Sequence, residues 1–141
     1  MYTQLIEFAS PQFDVALRLR DLVLRQPLGM VFYEEDIATE YDSMHLGCYT
    51  NTDLLVGVLI LKPYKKQTLK MRQVAVHPNI QGNGVGTLLV NAAEILAKRK
   101  GYNQIVLHAR ETAIKFYQNL GYQIVGDSFK EVGIVHYKMQ K

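Results

Sequence analysis

Hydrophobic positions along this chain change period several times, and each change marks an element. Residues 2 to 8 read as a first strand. Ser10 and Pro11 then supply an N-cap and a proline at the first helical position. Phe13, Ala16, Leu17, Arg20 and Leu24 follow at helical spacing until Pro27-Leu28-Gly29 stops the run. The acidic stretch from Glu34 to Tyr41 predicts a short second helix. Three strands come next, "MHLGCYT" (44 to 50), "LLVGVLILKP" (54 to 63) and "TLKMRQVAV" (68 to 76). Turn-like Asn51-Thr52-Asp53 and Tyr64 to Gln67 separate them, which is the pattern of an antiparallel meander.

The third of these strands changes phase. Leu69 and Met71 alternate with Lys70 and Arg72, but the apolar positions then become Val74 and Val76. A strand whose side chains have period two can switch faces only by gaining a residue, so a β-bulge is predicted between Arg72 and Val74. Beyond it, Val85, Leu88, Leu89, Ala92 and Leu96 form one face of a helix. Lys98-Arg99-Lys100 suits the negative end of its dipole, and Gly101 follows as the terminating residue. "QIVLHA" (104 to 109) is a strand and "TAIKFYQNLGY" (112 to 122) a short helix; "QIVGDSF" and "GIVHYKM" close as two strands. The order βααβββαβαββ describes one α+β domain over residues 1 to 141, an α/β/α sandwich around a mostly antiparallel mixed sheet.

Composition narrows the function classes. The chain has 141 residues, 48% of them hydrophobic, enough for one core without staples. Cys48 is the only cysteine, so no intramolecular disulfide and no four-cysteine zinc site is available, and a reducing, cytoplasmic setting is expected. The longest apolar run, Leu54 to Leu61, is far short of the roughly 20 residues that span a bilayer, and the first ten residues lack the basic stretch of a signal peptide. Neither a membrane nor, at a net charge of +3, nucleic acid is expected as a partner. Charge is unevenly spread: residues 34 to 42 carry five acids and no base, and residues 62 to 72 carry five bases and no acid. Each suits a solvated surface; each also suits a site, with an acidic wall for a cationic substrate and a basic rim for an anionic cofactor.

The most informative stretch is "VHPNIQGNGVGTLL", residues 77 to 90. Gly82, Gly84 and Gly86 open the long helix, where free N–H groups and the dipole favour an anion. A P-loop requires a lysine before Thr87, and none is present. A dinucleotide fold requires G-x-G-x-x-G after its first strand; here the spacing is G-x-G-x-G after the fourth. A ligand with a diphosphate that also runs along a strand remains, as does a tight turn without a ligand.

Within this stretch, "VAVHPNIQGNGVG" closely resembles the acyl-CoA loop Q/R-x-x-G-x-G/A of the GNAT N-acetyltransferase family, with Gln81, Gly84 and Gly86 at its fixed places. "ETAIKFYQNLGY" is similar to the family's later A-x-x-F-Y-x-x-x-G-[FY] motif, with Ala113, Phe116, Tyr117, Gly121 and Tyr122 in register. The flanking segments resemble a little-characterised bacterial branch. The resemblance covers essentially the whole chain and implies a fold with splayed central strands and acetyl-CoA as co-substrate, without a metal. It implies that the amides from Gln81 through Gly82, Asn83, Gly84, Val85 and Gly86 to Thr87 bind the coenzyme A pyrophosphate. It further implies that the pantetheine arm pairs with Val74, Ala75 and Val76 like an added strand, with an N–H near Val74 facing the thioester oxygen.

For the chemistry, the resemblance makes Tyr117 the general acid; packing of its ring beside Phe116 is the structural alternative. Many family members place a base carboxylate on the bulged strand, yet here it reads Met71-Arg72-Gln73. His108, at the end of the strand bordering the expected slot, is the first candidate base, since histidine titrates near neutrality. His45 and His136 or a water chain are others. Glu34, Glu35 and Glu40, with Gln73 and His136, are the candidate acceptor-side residues. The expected acceptor is a small-molecule amine or an amine of a peptide or protein. A homodimer through an exposed terminal strand is left open.

Overall fold

The computed structural model describes residues 1–141. Its elements run β1 (Tyr2–Ile6), α1 (Pro11–Arg20), α2 (Glu34–Ala38), β2 (Met44–Tyr49), β3 (Leu55–Lys65) and β4 (Thr68–Val76). They continue as α3 (Val85–Arg99), β5 (Gln104–Arg110), α4 (Ile114–Asn119), β6 (Gln123–Ile124), β7 (Phe129–Glu131) and β8 (Ile134–Gln140). One sheet carries the order β1-β2-β3-β4-β5-β8-β6, with β7 beside the start of β8. Every pairing is antiparallel except β4 with β5. The parallel pair requires a crossover, and α3 supplies it. The architecture is α+β, with helices on both faces of a mixed sheet.

Each face has its own core. Leu59, Leu61, Leu69 and Met71 of the sheet pack with Leu89 and Val90 of α3 on one side. Ile6, Val58 and Ala75 pack with Phe13, Ala16 and Leu19 of α1 on the other. A fully buried leucine such as Leu59 or Leu89 contributes roughly 1.5–3 kcal/mol of transfer free energy. At the start of α1, Ser10 Oγ accepts from the Phe13 N–H at 3.2 Å, as its capping role requires. No helix is long and apolar enough to cross a membrane.

The bulge lies where the phase change predicts it. Arg72 pairs with Ile60 and Ala75 with Val58, so Gln73 and Val74 together oppose Leu59. Gln73 takes φ 54°, a left-handed conformation that accommodates the extra residue. Before the bulge Leu69 and Met71 face α3; after it Val74 and Val76 do, and Ala75 turns to α1. The bulge also coincides with the end of a pairing: β4 and β5 are in register from Thr68–Gln104 to Met71–Leu107 and not beyond. From there the two strands diverge.

Three sequence expectations are revised. The first helix does not run regularly to Leu24: after Arg20 it widens into a π-helical turn, Asp21–Arg25, and tightens into a 3-10 turn, Gln26–Leu28, ended by Gly29 at φ 65°. The wider turn brings residues five apart into line, and Arg20 and Arg25 both stack on Phe32, at 4.9 and 4.5 Å. "QIVGDSF" is not one strand but β6 and β7, separated at Gly126, whose φ is 80°. The helix over 112 to 122 is a 3-10 turn, Glu111–Ala113, followed by α4.

Candidate active site

The divergence of β4 from β5 leaves backbone groups of β4 without a strand partner. The His77 N–H donates to Val56 C=O of β3 at 2.8 Å. By antiparallel alternation Ala75 also addresses β3, whereas the polar groups of Val74 and Val76 face the gap that β5 has vacated. Gln81 Nε2 donates to Val76 C=O at 3.1 Å, tying the following loop to the strand.

That loop is lined with free amides. The N–H groups of Gln81, Gly82, Asn83 and Gly84 have no acceptor in the chain. Those of Val85, Gly86 and Thr87 are the first three of α3 and point out of its N-terminus. Gly82 and Gly84 sit at φ 85° and 82°, where a side chain would strain the backbone. Gly86 has a different reason to be glycine: a Cβ there would lie 3.1 Å from Phe116 Cζ. Asn83 Nδ2 donates to Ile80 C=O at 2.9 Å and fixes the loop's shape. Seven consecutive amides in a row, at the positive end of a four-turn helix, make an anion cradle.

At the other end of the gap lies a cavity of about 400 Å³. Arg72, Gln73 and Val74 of β4 and residues 107 to 110 of β5 form its walls; Arg25 of the π-helical turn, Tyr117 of α4 and Glu131 of β7 reach in from three sides. The Tyr117 ring is buried, edge-on to Phe116 at 5.0 Å and to Tyr122 at 5.7 Å. Burial pushes its hydroxyl up to about 12, so it stays protonated through the neutral range. Glu131 sits between two histidines, with Oε1 3.4 Å from His108 Nδ1 and Oε2 3.6 Å from His136 Nε2. His136 Nδ1 lies 2.8 Å from the Ile134 C=O, so that nitrogen carries a proton and Nε2 faces the carboxylate. Burial, and next the positive charge of Lys70, push His108 below its ordinary value, with Glu131 partly opposing them.

The structure gathers some of the sequence candidates and separates others. Tyr117, His108, His136, Gln73, Val74 and Ala113 all line the cavity. Phe116 instead backs the glycine loop at Gly86. Ala75 is corrected: its side chain is buried in the α1 core and its backbone pairs with Val58, because the bulge rotates it away from the gap. Val85 offers only its amide, its side chain being buried under α3. Glu40 is corrected as an acceptor-side residue. It is buried, and both carboxylate oxygens lie 2.7 Å from the Arg20 guanidinium nitrogens. Glu34 and Glu35 are exposed on α2 and do not line the cavity. The basic stretch fares differently from expectation too, since Lys70 and Arg72 line the cavity itself. His45 is buried in the α1 core, edge-on to Phe13 at 5.0 Å. Glu131, absent from the sequence candidates, is the cavity's carboxylate.

A sheet whose parallel pair splays beside an amide-lined helix N-terminus is an architecture that comparison with known proteins identifies. Residues 29–141 match the family model of the acetyltransferase (GNAT) domain. The chain belongs to the GNAT acetyltransferase family. An uncharacterized Bacillus subtilis protein, YyaT, is 36% identical over 91 residues, which span 64% of this chain and 51% of that protein. A solved structure from Lactobacillus plantarum, described provisionally as an N-acetyltransferase, superposes with a TM-score of 0.85 at 26% identity, covering 100% of this chain and 98% of that one. An aminoglycoside 6'-N-acetyltransferase solved with coenzyme A shares the fold, with a TM-score of 0.83 at 19% identity over 100% of this chain and 96% of that one.

Proposed function

We propose that this protein is an acyl-CoA-dependent N-acyltransferase that moves an acetyl group from acetyl-CoA to a primary amine by direct attack. One observation carries the reading: seven free amides, an unpaired strand edge and a cavity with a protonated tyrosine lie in sequence along a single gap. The residues fit a coenzyme A molecule in order. The amides of Gln81 to Thr87 would hold its pyrophosphate, and the backbone groups of Val74 and Val76 its pantetheine amides. Bound there, the coenzyme supplies an acyl group activated as a thioester. The structurally similar aminoglycoside acetyltransferase, crystallised with coenzyme A, supports this use of the fold.

The chain's own residues then handle protons. An amine is nucleophilic only when unprotonated, and His108, held neutral by burial and Lys70, can take the proton it loses on attack. Glu131, in contact with both His108 and His136, stabilises the charge that His108 acquires. The Tyr117 hydroxyl, which makes no hydrogen bond within the protein, gives its proton to the departing sulfur. The Val74 N–H, on the gap side of the bulge, is the donor to the thioester oxygen. The acceptor is a small amine or an exposed amine of a peptide.

The test is thiol release from acetyl-CoA across a panel of amines and peptides, with mass spectrometry of the products. An acetylated amine formed together with free thiol supports the reading. Tight coenzyme A binding without turnover of any acceptor would make the chain an acyl-CoA-binding module instead.

A further inference from the structure

The cavity beside His108 is strongly basic. Lys70 and Arg72, two residues apart on β4, share one face of the sheet, and Arg110 of β5 and Arg25 of the π-helical turn join them at the cavity wall. None of these four cations lies within ion-pairing distance of a carboxylate. The Glu131 carboxylate lies nearest the two histidines, 3.4 Å from His108 Nδ1 and 3.6 Å from His136 Nε2, and the chain's remaining ion pairs lie at Arg20, Lys62 and Lys141. Arg25 is fixed in place by its stacking on Phe32 at 4.5 Å. Gln73 also lines the cavity, though its side-chain oxygen is buried behind the wall without a donor. Half-buried like charges without a counterion destabilise a fold, and a bound anion relieves them.

The coenzyme's pyrophosphate does not account for these cations. It has its own amide cradle at 81 to 87, and Arg72 stands four residues before the end of β4, which is roughly 13 Å of strand. Burial and then Arg72 push Lys70 below its ordinary value, with Glu131 partly opposing, and burial, Arg20 and Arg72 do the same to Arg25 against Glu40 and Asp36, so the cations at this wall repel one another.

We infer that the acceptor is an amine that also bears an anionic group, a carboxylate or a phosphate, which Arg25, Lys70 and Arg72 hold while its nitrogen lies toward His108 and Tyr117. This rests on the reading of the protein as an N-acyltransferase and names its substrate class. It replaces the cationic acceptor suggested by the acidic stretch, whose carboxylates lie elsewhere.

Matched acceptors test it. An amino acid is compared with its primary amide, and an aminoalkyl phosphate with the parent amino alcohol, so that only the anion changes. Binding to the coenzyme A-loaded protein is measured by calorimetry, and thiol release gives kcat and KM. The anionic member of at least one pair is expected to bind about tenfold tighter or better, the scale of a charge-assisted hydrogen bond. Whichever pair shows it identifies carboxylate or phosphate. Arg72→Gln and Arg25→Gln are each expected to raise KM for the anionic member and erase the preference, with kcat much less affected. Equal or better binding and turnover of the uncharged members overturns the inference while leaving the transferase reading intact. Failure of both pairs to bind overturns it as well. Selective binding of the anion without any thiol release upholds the basic site and refutes transfer.

Discussion

Replacing Glu40 with glutamine separates a structural role for the acidic segment from a substrate-binding one. Glu40 and Arg20 face each other with two nitrogen–oxygen distances of 2.7 Å, and their side chains are 6% and 2% exposed. Glutamine keeps the shape but removes the charge, so the buried Arg20 guanidinium loses its counterion. Arg20 Nε is already buried without a partner, and no water-facing alternative is at hand. Breaking a buried pair on one side costs about 3–5 kcal/mol. For a domain of this size that corresponds to a fall in Tm of roughly 10–20 °C. The assay is thermal unfolding followed by circular dichroism, with acceptor KM measured well below the transition. The double variant Arg20→Met/Glu40→Leu is expected to recover most of the lost stability, because two apolar side chains fill the space without an orphaned charge. A variant Glu40→Gln with unchanged Tm and a raised acceptor KM would refute the reasoning and return Glu40 to the acceptor side.

Other predictions concern the loop, the histidine and the hairpin. Gly86→Ala gains helix propensity, yet its Cβ would sit 3.1 Å from Phe116 Cζ and displace the ring that backs the cradle. Little change in Tm and weaker coenzyme A binding by calorimetry are expected. The rate should depend on pH through His108: its value lies below the ordinary 6.5, so the acidic limb of kcat/KM falls below that pH, activity being lost as His108 gains a proton. Glu131→Gln removes an influence that raises His108 and should move the limb to lower pH, whereas Lys70→Met removes one that lowers it and should move the limb up. Val132 holds φ 48° at the tip of the β7–β8 hairpin, a conformation β-branched residues avoid. Val132→Asn should therefore stabilise the fold by about 1 kcal/mol, read as a higher Tm.

Local pattern was legible in the sequence; partnerships across the fold were not. The bulge at Gln73 and Val74 could be located because strand alternation reports which face is buried, and a change of phase has one geometric cause. The free amides of the glycine loop could be foreseen because the first turn of any α-helix leaves its N–H groups without intrahelical partners. Glu40 was misread because its partner, Arg20, lies twenty residues upstream and is brought to it by packing, not by spacing. Glu131 was missed for a related reason. It becomes a neighbour of His108 and His136 only when the Val132-Gly133 turn folds β7 back on β8, pairing Phe129 with His136. A Val-Gly turn is a weak hairpin signal beside Asn-Gly. Reading it as one would have put a carboxylate and a histidine on the same hairpin. The sign of the cavity was also hidden, since Arg25 reaches it from a π-helical turn that helical spacing alone does not predict.

In the proposed reaction, the gap between β4 and β5 brings an acyl thioester to the Tyr117 hydroxyl. Comparing the wild type with Tyr117→Phe at saturating acetyl-CoA tests it most directly, since phenylalanine preserves the packing against Phe116 and Tyr122 and deletes only the proton donor. The account predicts a fall in kcat of about a hundredfold or more with coenzyme A affinity unchanged. Undiminished kcat in the variant would contradict it.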